Sequence, residues 1–444
     1  MQTQTNETGV TSPTTFAIET HGCKLNQADT LALTREFAEA GLKQVREDEP
    51  ADVYVVNSCT VTHVADRKAR QSLRAARRRN PSATIVATGC YAQRSPKQLA
   101  DMSAIDLVFG NVDKSRLVRQ VMDWRGENGN GVVPCATGDD ADYTIPSIGR
   151  TRAMVKIQEG CNQVCAYCIV PKVRGREQSV PTDAIVDEVR RLIDSGYREV
   201  VLTGTQLGSY GFDLLEASLH SLIASVLSQT DVERLRVSSL QPREISDELL
   251  DLWDDERLCP HFHMPLQSGS DRILSRMRRR YTAQEYAETV NRICARIPHA
   301  SVTADVIVGF PGEMDDDFRA TYNICESVRF ADMHVFPYSV RPGTSAAHFK
   351  EQLPPEVKSE RMNALLALSK SQMRQFRQER LGDARPVLWE SRTTRDGESF
   401  WTGLTDNYIR VRAQSDHMLL NEITGGILQS VDERGTVNAE VVWK

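Results

Sequence analysis

The sequence has no long apolar run and no excess of basic charge. No stretch of its 444 residues approaches the about 18 apolar residues of a membrane span, so no membrane partner is expected. The opening residues, MQTQTNETGVTSPTT, lack the apolar segment of a secretory leader, and a cytoplasmic location is the expectation. Lysine and arginine number 54 against 60 aspartate and glutamate, a formal charge of −6. The chain as a whole is therefore no polyanion binder, and any nucleic-acid contact falls to local basic patches. What is present is 40% apolar residues, enough for well-formed cores, and ten cysteines. In a reducing compartment these read as metal ligands, catalytic groups or core filler rather than disulfides.

The length suits two or three domains. Residues 1–14 read as a disordered tail. Over residues 15–122, strand-like runs ("TFAIET", "ADVYVVNSC", "ATIVATGC") alternate with helical spacing ("ADTLALTREFAEAGL", "ADRKARQSLRAARRR"). That alternation predicts a doubly wound parallel sheet. Residues 123–147, rich in Gly, Asn and Asp, read as a linker, with Cys135 a free thiol inside it. From 148 to 381 a second series runs through "RAMVKIQEGC", "EVVLTGTQ", "LRVSSL", "FHMPLQ", "VTADVIVGF" and "DMHVFPYS". Six strand–helix units predict a full or partial (β/α) barrel. A long helix in "KSERMNALLALSKSQMRQFRQERLG" is expected to stop at Gly382. Residues 382–444 then break into short strand-like pieces, a small all-β module.

The stretch "KIQEGCNQVCAYCIVPKVRG" places Cys161, Cys165 and Cys168 in one short loop. A structural zinc site wants four protein ligands, and the next downstream cysteine is Cys259. Three thiolates on a cubane iron–sulfur cluster leave one iron without a protein ligand, which a catalytic centre needs. The loop also follows the first strand of the barrel-like series, at the mouth where barrel active sites sit. The spacing and the aromatic Tyr167 before the last cysteine resemble the signature of radical S-adenosylmethionine (SAM) enzymes. The resemblance implies a 4Fe-4S cluster whose open iron binds SAM and whose electron cleaves it to a 5′-deoxyadenosyl radical.

Cys23, Cys59 and Cys90 each follow a predicted strand, 36 and 31 residues apart. Strand C-termini of a doubly wound sheet line one crevice, so the three converge there as a second three-thiolate site. Cys259, Cys294 and Cys325 read as packing. Together with "LTGTQLGSYG", "RVSSLQPREI", "HFHMPLQSGSDRIL", "ADVIVGFPGE" and "PYSVRPGTSA", these features resemble the radical SAM methylthiotransferase family from about Thr15 to Lys444. "GCKLNQ", "NSCTVTHVADRKARQ" and "TGCYAQ" look like its branch acting on N6-threonylcarbamoyladenosine at tRNA position 37. Branches acting on isopentenyladenosine or on a ribosomal-protein aspartate stay as alternatives, and so does a non-catalytic zinc-bearing RNA-binding protein.

The resemblance implies an N-terminal domain with an auxiliary 4Fe-4S cluster on Cys23, Cys59 and Cys90. It implies a central radical SAM barrel with a second 4Fe-4S cluster on Cys161, Cys165 and Cys168, and a C-terminal TRAM module. It places SAM against Tyr167, Gly204, Thr205, Ser238 and Ile307, although the acidic residue of many radical SAM enzymes is missing near Gly204. Ser239, Asp305 and Glu313 are further polar groups at that mouth. It also implies tRNA as partner and an electron donor such as flavodoxin or ferredoxin.

For RNA, "DRKARQSLRAARRRNP" holds seven basic residues (Arg67, Lys68, Arg70, Arg74, Arg77, Arg78, Arg79) against Asp66, and "RILSRMRRRY" adds Arg278 and Arg279 among others. Arg74, Arg77, Arg78, Arg79, Arg278 and Arg279 are the expected phosphate contacts. The C-terminal module holds ten acidic residues against seven basic. Its RNA contact is therefore expected from shape and from the aromatic faces of Trp401 and Tyr408.

Overall fold

The computed structural model describes residues 13–128, 151–395 and 398–443. It falls into two compact units, 1–145 and 146–444. The expected tail up to residue 12, the stretch 129–147 of the expected linker and Cys135 lie outside the described residues.

The first unit is a five-stranded parallel sheet. Its strands are β1 Thr15–His21, β2 Lys43–Gln44, β3 Val53–Ser58, β4 Thr84–Gly89 and β5 Leu107–Phe109, in the order β2-β1-β3-β4-β5. β3 and β4 are buried along their whole length, as strands covered on both faces must be. Alternate side chains divide between two cores. Tyr54, Val56 and Ile85 pack with Ala69 and Leu73 of the helix His63–Arg79. Val53, Val55 and Val86 pack with Leu33, Phe37, Leu117 and Val121 of helices Lys24–Glu39 and Leu117–Glu127 on the other side. The last of these helices corrects the expected domain end at 122. It runs on to Glu127 because Arg125 is buried, donating through Nη1 to the Asp52 carbonyl at 3.0 Å and to Thr84 Oγ1 at 3.3 Å.

The second unit holds six parallel strands in chain order: β6 Arg152–Lys156, β9 Glu199–Thr203, β10 Arg234–Val237, β11 His261–His263, β12 Ser301–Val308 and β13 Asp332–Pro337. Between the first two, β7 Gln158–Glu159 and β8 Gln178–Ser179 form a short antiparallel pair that closes the cysteine loop. β6, β9 and β10 form one ladder and β11, β12 and β13 another, joined by a single bridge between Leu235 and Leu258. Among the described residues β6 and β13 do not pair, so the barrel is partial. Along β12, Val302, Ala304, Val306 and Val308 are buried while Asp305 and Ile307 are half-open. The first set faces the surrounding helices and the second lines the barrel interior.

The long helix runs Pro355–Gln378, and Gly382 then turns the chain with φ +91°. After it β14 Ala384–Arg395, β15 Glu398–Thr405, β16 Arg410–Gln414, β17 Ile423–Val431 and β18 Val437–Val442 close a small barrel in the order β14-β15-β16-β18-β17. Trp389, Trp401, Val411 and Leu428 fill it. Here the expected RNA-facing aromatics are corrected. Trp401 is core, 2% exposed. Tyr408, in the turn between β15 and β16, leaves the small barrel and stacks on His261 of β11, 4.2 Å between ring centroids. The Arg236 and Arg152 guanidinium groups lie over its ring at 5.1 and 5.8 Å. Neither ring is free to meet a base.

The same turn is gripped by a buried ionic network. Glu199 accepts from Arg236 Nε at 2.9 Å and forms an ion pair with Arg234 Nη2 at 2.7 Å. Both Nη groups of Arg234 and Nη1 of Arg236 also reach the carbonyls of Leu404, Thr405 and Asp406. Burial by itself would raise the Glu199 carboxyl, but Arg234 and Arg236 outweigh it and hold it at about 2, below its ordinary 4.5. Its stabilising contribution is therefore complete above pH 4.5 and is lost as the pH falls toward 2. Glu199→Gln strands two buried arginines and is expected to cost about 3–5 kcal/mol. Urea unfolding at neutral pH measures this, and an unchanged midpoint would show that the network holds nothing together.

Candidate metal centres

The strand register brings Cys23, Cys59 and Cys90 together. His21 of β1 pairs with Ser58 of β3, and Ser58 pairs with Gly89 of β4. Gly22, Cys59 and Cys90 are thus the next residues on three neighbouring strands, and Cys23 follows Gly22. The order β2-β1-β3 reverses between β1 and β3, so the thiols lie at the topological switch point, where open α/β sheets bind ligands. Gly22 has φ +128°, and a Cβ on it would come within 2.5 Å of the Cys59 Cβ. Only glycine lets these two strand ends approach so closely. Cys59 and Cys90 are buried and Cys23 is exposed. Polar hydrogens already point at the sulfurs: Val61 N–H donates to Cys59 Sγ at 3.4 Å and Asn111 Nδ2 to Cys90 Sγ at 3.5 Å. Burial, with Cys23 and Cys90 adding to it, pushes the Cys59 thiol up to about 12. A thiol so desolvated ionises at neutral pH only against a metal. Three free thiols on one crevice, one of them reachable, suit a cluster with an open iron.

In the second unit the loop Cys161–Cys168 leaves the end of the β6–β7 segment. Gly160 has φ +76°, and a Cβ there would lie 1.9 Å from the Arg176 carbonyl oxygen. The loop is pinned on both flanks: Cys161 N–H donates to the Gly175 carbonyl at 3.1 Å and Ala166 N–H to the Met277 carbonyl at 3.0 Å. Burial pushes the Cys161 thiol up to about 11 and Cys168 up to about 12. The Arg279 guanidinium faces the loop, with Nη1 3.6 Å from Cys165 Sγ and Nη2 donating to Gln241 Oε1 at 3.1 Å. A cation beside three thiols fits the net negative charge of a thiolate-bound cluster.

Several of the residues expected to touch SAM are tied to this loop. Gly204 and Thr205 begin the turn after β9. The Gln158 amide oxygen accepts from the N–H groups of Thr205 and Gln206, both at 2.9 Å, while Gln158 Nε2 donates to the Gly160 carbonyl at 2.9 Å. One glutamine therefore ties that turn to the start of the cysteine loop. The Thr205 hydroxyl is buried with no hydrogen-bond partner, an orphan that a bound amino or carboxylate group would satisfy. Ser238 is buried at the end of β10, and Ile307 is on the interior face of β12. Tyr167 packs edge-on to Phe310 at 6.5 Å in a small apolar cluster. Glu313 does not reach the mouth: it accepts from the Gly309 N–H at 3.0 Å and from Arg361 Nη1 at 2.5 Å. Sequence reasoning passed over Gln158, Arg279 as a cluster neighbour, and Glu244. The Glu244 carboxyl accepts from Gln241 N–H at 2.8 Å and from Gln206, and burial pushes it up to about 7.

Comparison with known proteins now has a geometry to meet. Residues 15–110 match the family described as uncharacterized protein family UPF0004, and residues 155–325 match the Radical SAM superfamily. The chain is 37% identical to the threonylcarbamoyladenosine tRNA methylthiotransferase MtaB of Bacillus subtilis, over 92% of each chain. It is 40% identical to the protein of the same name from Aquifex aeolicus, over 90% of this chain and 96% of that one. This chain belongs to the radical SAM methylthiotransferase family. A relative named tRNA-2-methylthio-N(6)-dimethylallyladenosine synthase, from Syntrophotalea carbinolica, is 34% identical over 88% of this chain and 91% of its own. Among solved structures, the radical SAM methyltransferase TsrM of Kitasatospora setae is similar in fold, with a TM-score of 0.54 at 15% identity over 76% of this chain and 74% of that one.

In this methylthiotransferase the expected basic surface needs redrawing. Arg77 is spent inside the first unit: it pairs with Asp106 at 2.5 Å and donates to the Ala83 carbonyl at 2.8 Å. Arg70 donates to the buried Tyr91 hydroxyl at 2.6 Å, beside Cys90. Arg79 donates to the Glu47 carbonyl at 2.6 Å and lies over the Tyr54 ring. Arg279 belongs to the cysteine loop. Arg67, Lys68, Arg74, Arg78 and Arg79 stay exposed, with Arg67, Arg74 and Arg78 on one helical face. Arg278 is exposed next to the loop, its Nη1 3.5 Å from the Val164 carbonyl. On the C-terminal module the exposed aromatic is Trp443 rather than Trp401 or Tyr408. Cys294 is also exposed, not packed, unlike Cys259 and Cys325.

Proposed function

We propose that this chain attaches a methylthio group to C2 of N6-threonylcarbamoyladenosine at tRNA position 37, with SAM and two 4Fe-4S clusters as cofactors. One observation carries the reading: Cys23, Cys59 and Cys90 follow three neighbouring parallel strands, Cys161, Cys165 and Cys168 share one loop, and all six are free thiols. When bound, the two clusters and SAM supply hydrogen-atom abstraction from an unactivated C–H bond and delivery of sulfur. The chain's own residues do the placing. Gln158 sets the Gly204–Thr205 turn against the cysteine loop, and the Thr205 hydroxyl offers an unused polar contact to SAM. Arg279 sets positive charge beside Cys165. The alternative adenosine substrate, carrying an isopentenyl group, is supported by relatives at slightly lower identity. The electron comes from a small reductant of the flavodoxin or ferredoxin class, and the cytoplasm is the site of action. Among the described residues no helix is long and apolar enough to cross a membrane.

Mass spectrometry of nucleosides from tRNA of cells with and without the protein tests the substrate. The 2-methylthio form of threonylcarbamoyladenosine is expected to vanish with the protein, and loss of only the isopentenyl counterpart would overturn this choice. The tRNA contact is tested separately. Changing Arg67, Arg74 and Arg78 to Glu is expected to weaken binding while leaving iron content intact. Each lost phosphate contact should flatten the log–log salt dependence by about 0.7–0.9. An unaltered salt slope would make this face merely solvated.

A further inference from the structure

We infer that His263, Asp305 and His334 form a binding site for one divalent transition cation of the zinc class. The three residues come from consecutive strands β11, β12 and β13. His263 is paired with Thr303 and Asp305 with His334 in the parallel register. Their side chains meet on the interior face of the barrel. Asp305 Oδ2 lies 3.3 Å from His263 Nε2, and Asp305 Oδ1 lies 3.2 Å from His334 Nδ1. One donor atom from each residue falls within 4.8 Å of the others. A cation about 2.0–2.2 Å from nitrogen and oxygen donors holds them about 3–3.5 Å apart, so little movement is needed to close on one.

The donor set is chemically specific. Two neutral imidazoles and one carboxylate bind zinc-class and iron-class divalent ions and leave coordination positions open. His263 is also oriented as metal-bound histidines are. Its Nδ1 is 3.0 Å from Thr303 Oγ1, which fixes the ring and turns Nε2 toward Asp305. Burial is graded across the site: the His263 side chain is 12% exposed, Asp305 30% and His334 57%. The site therefore has a rigid base and an open rim through which a hydrated ion enters. None of the three belongs to either thiol set, and all are oxygen or nitrogen donors, which separates this site chemically from the cysteine centres.

The test uses the iron-loaded protein, treated with EDTA under anaerobic conditions and equilibrated with zinc. Zinc and iron are counted together, and zinc K-edge absorption reads the bound atoms. The wild type should take one zinc per chain with nitrogen and oxygen neighbours only. His334→Ala and His263→Ala should each lose that zinc and keep their iron. Thr303→Val should bind it about 10–100-fold more weakly. His334 lies at the rim, so its variant tests the site even if His263→Ala fails to fold. No zinc on the wild type, equal zinc on the His334 variant, or sulfur in the zinc shell would each overturn the assignment.

Discussion

Alanine at Cys161, Cys165 and Cys168 together is expected to remove about half of the iron and all production of 5′-deoxyadenosine from SAM. The loop should survive the change. Its position is set by backbone hydrogen bonds to Gly175 and Met277 and by Gln158, none of which involves a thiol. What the variant loses is the three thiols proposed to hold the cluster, and with them the iron proposed to bind SAM. The other set, in the first unit, is untouched, so half the iron should stay. Iron analysis after anaerobic reconstitution and chromatographic detection of 5′-deoxyadenosine read the two effects. Continued 5′-deoxyadenosine formation in a well-folded variant would sink the assignment of this loop.

The converse variant, with alanine at Cys23, Cys59 and Cys90, should again keep about half the iron but show the opposite activity. SAM cleavage should persist, because the site proposed for it draws its ligands from the second unit. Methylthiolated nucleoside should fall below detection, because the centre proposed to deliver sulfur would lose its ligands. Cys59 and Cys90 are buried at strand ends among backbone hydrogen bonds that an alanine leaves intact, such as Cys59 N–H to the His21 carbonyl at 2.9 Å. The fold is therefore expected to hold, and circular dichroism checks it. Loss of SAM cleavage as well, in a folded variant with half its iron, would mean that these cysteines serve the other centre. Methylthiolation that continued would remove them from the chemistry altogether.

Both expectations could be framed from the order of residues alone, and the physical reason is locality. Cys161, Cys165 and Cys168 share one short loop, so their spacing states their convergence. Cys23, Cys59 and Cys90 are distant in sequence, yet each ends a strongly apolar strand. Parallel strands joined by right-handed crossovers put those ends on one edge. The strand–helix alternation and the long helix before Gly382 were legible for the same reason, because hydrophobic period is a local signal.

Other features were settled only by long-range packing. Arg77 and Arg78 are adjacent and chemically identical, but one faces Asp106 across the sheet edge and the other faces water. Helical phase decides which. Arg279 reads as one more base in a basic run until the chain folds its guanidinium against Cys165. Trp401 and Tyr408 look alike as aromatic contacts. Closure of the small barrel buries the first, and the turn after β15 carries the second onto His261. His263, Asp305 and His334 carry no spacing signal at all. They are 42 and 29 residues apart, and only the register of three parallel strands sets Asp305 level with His334 and His263 one inward-facing position away. The sequence by itself determined the main strand–helix alternation of both units and the family. The tertiary structure decided which charges and rings remain free to act, because burial and strand register are properties of contacts between segments far apart in the chain.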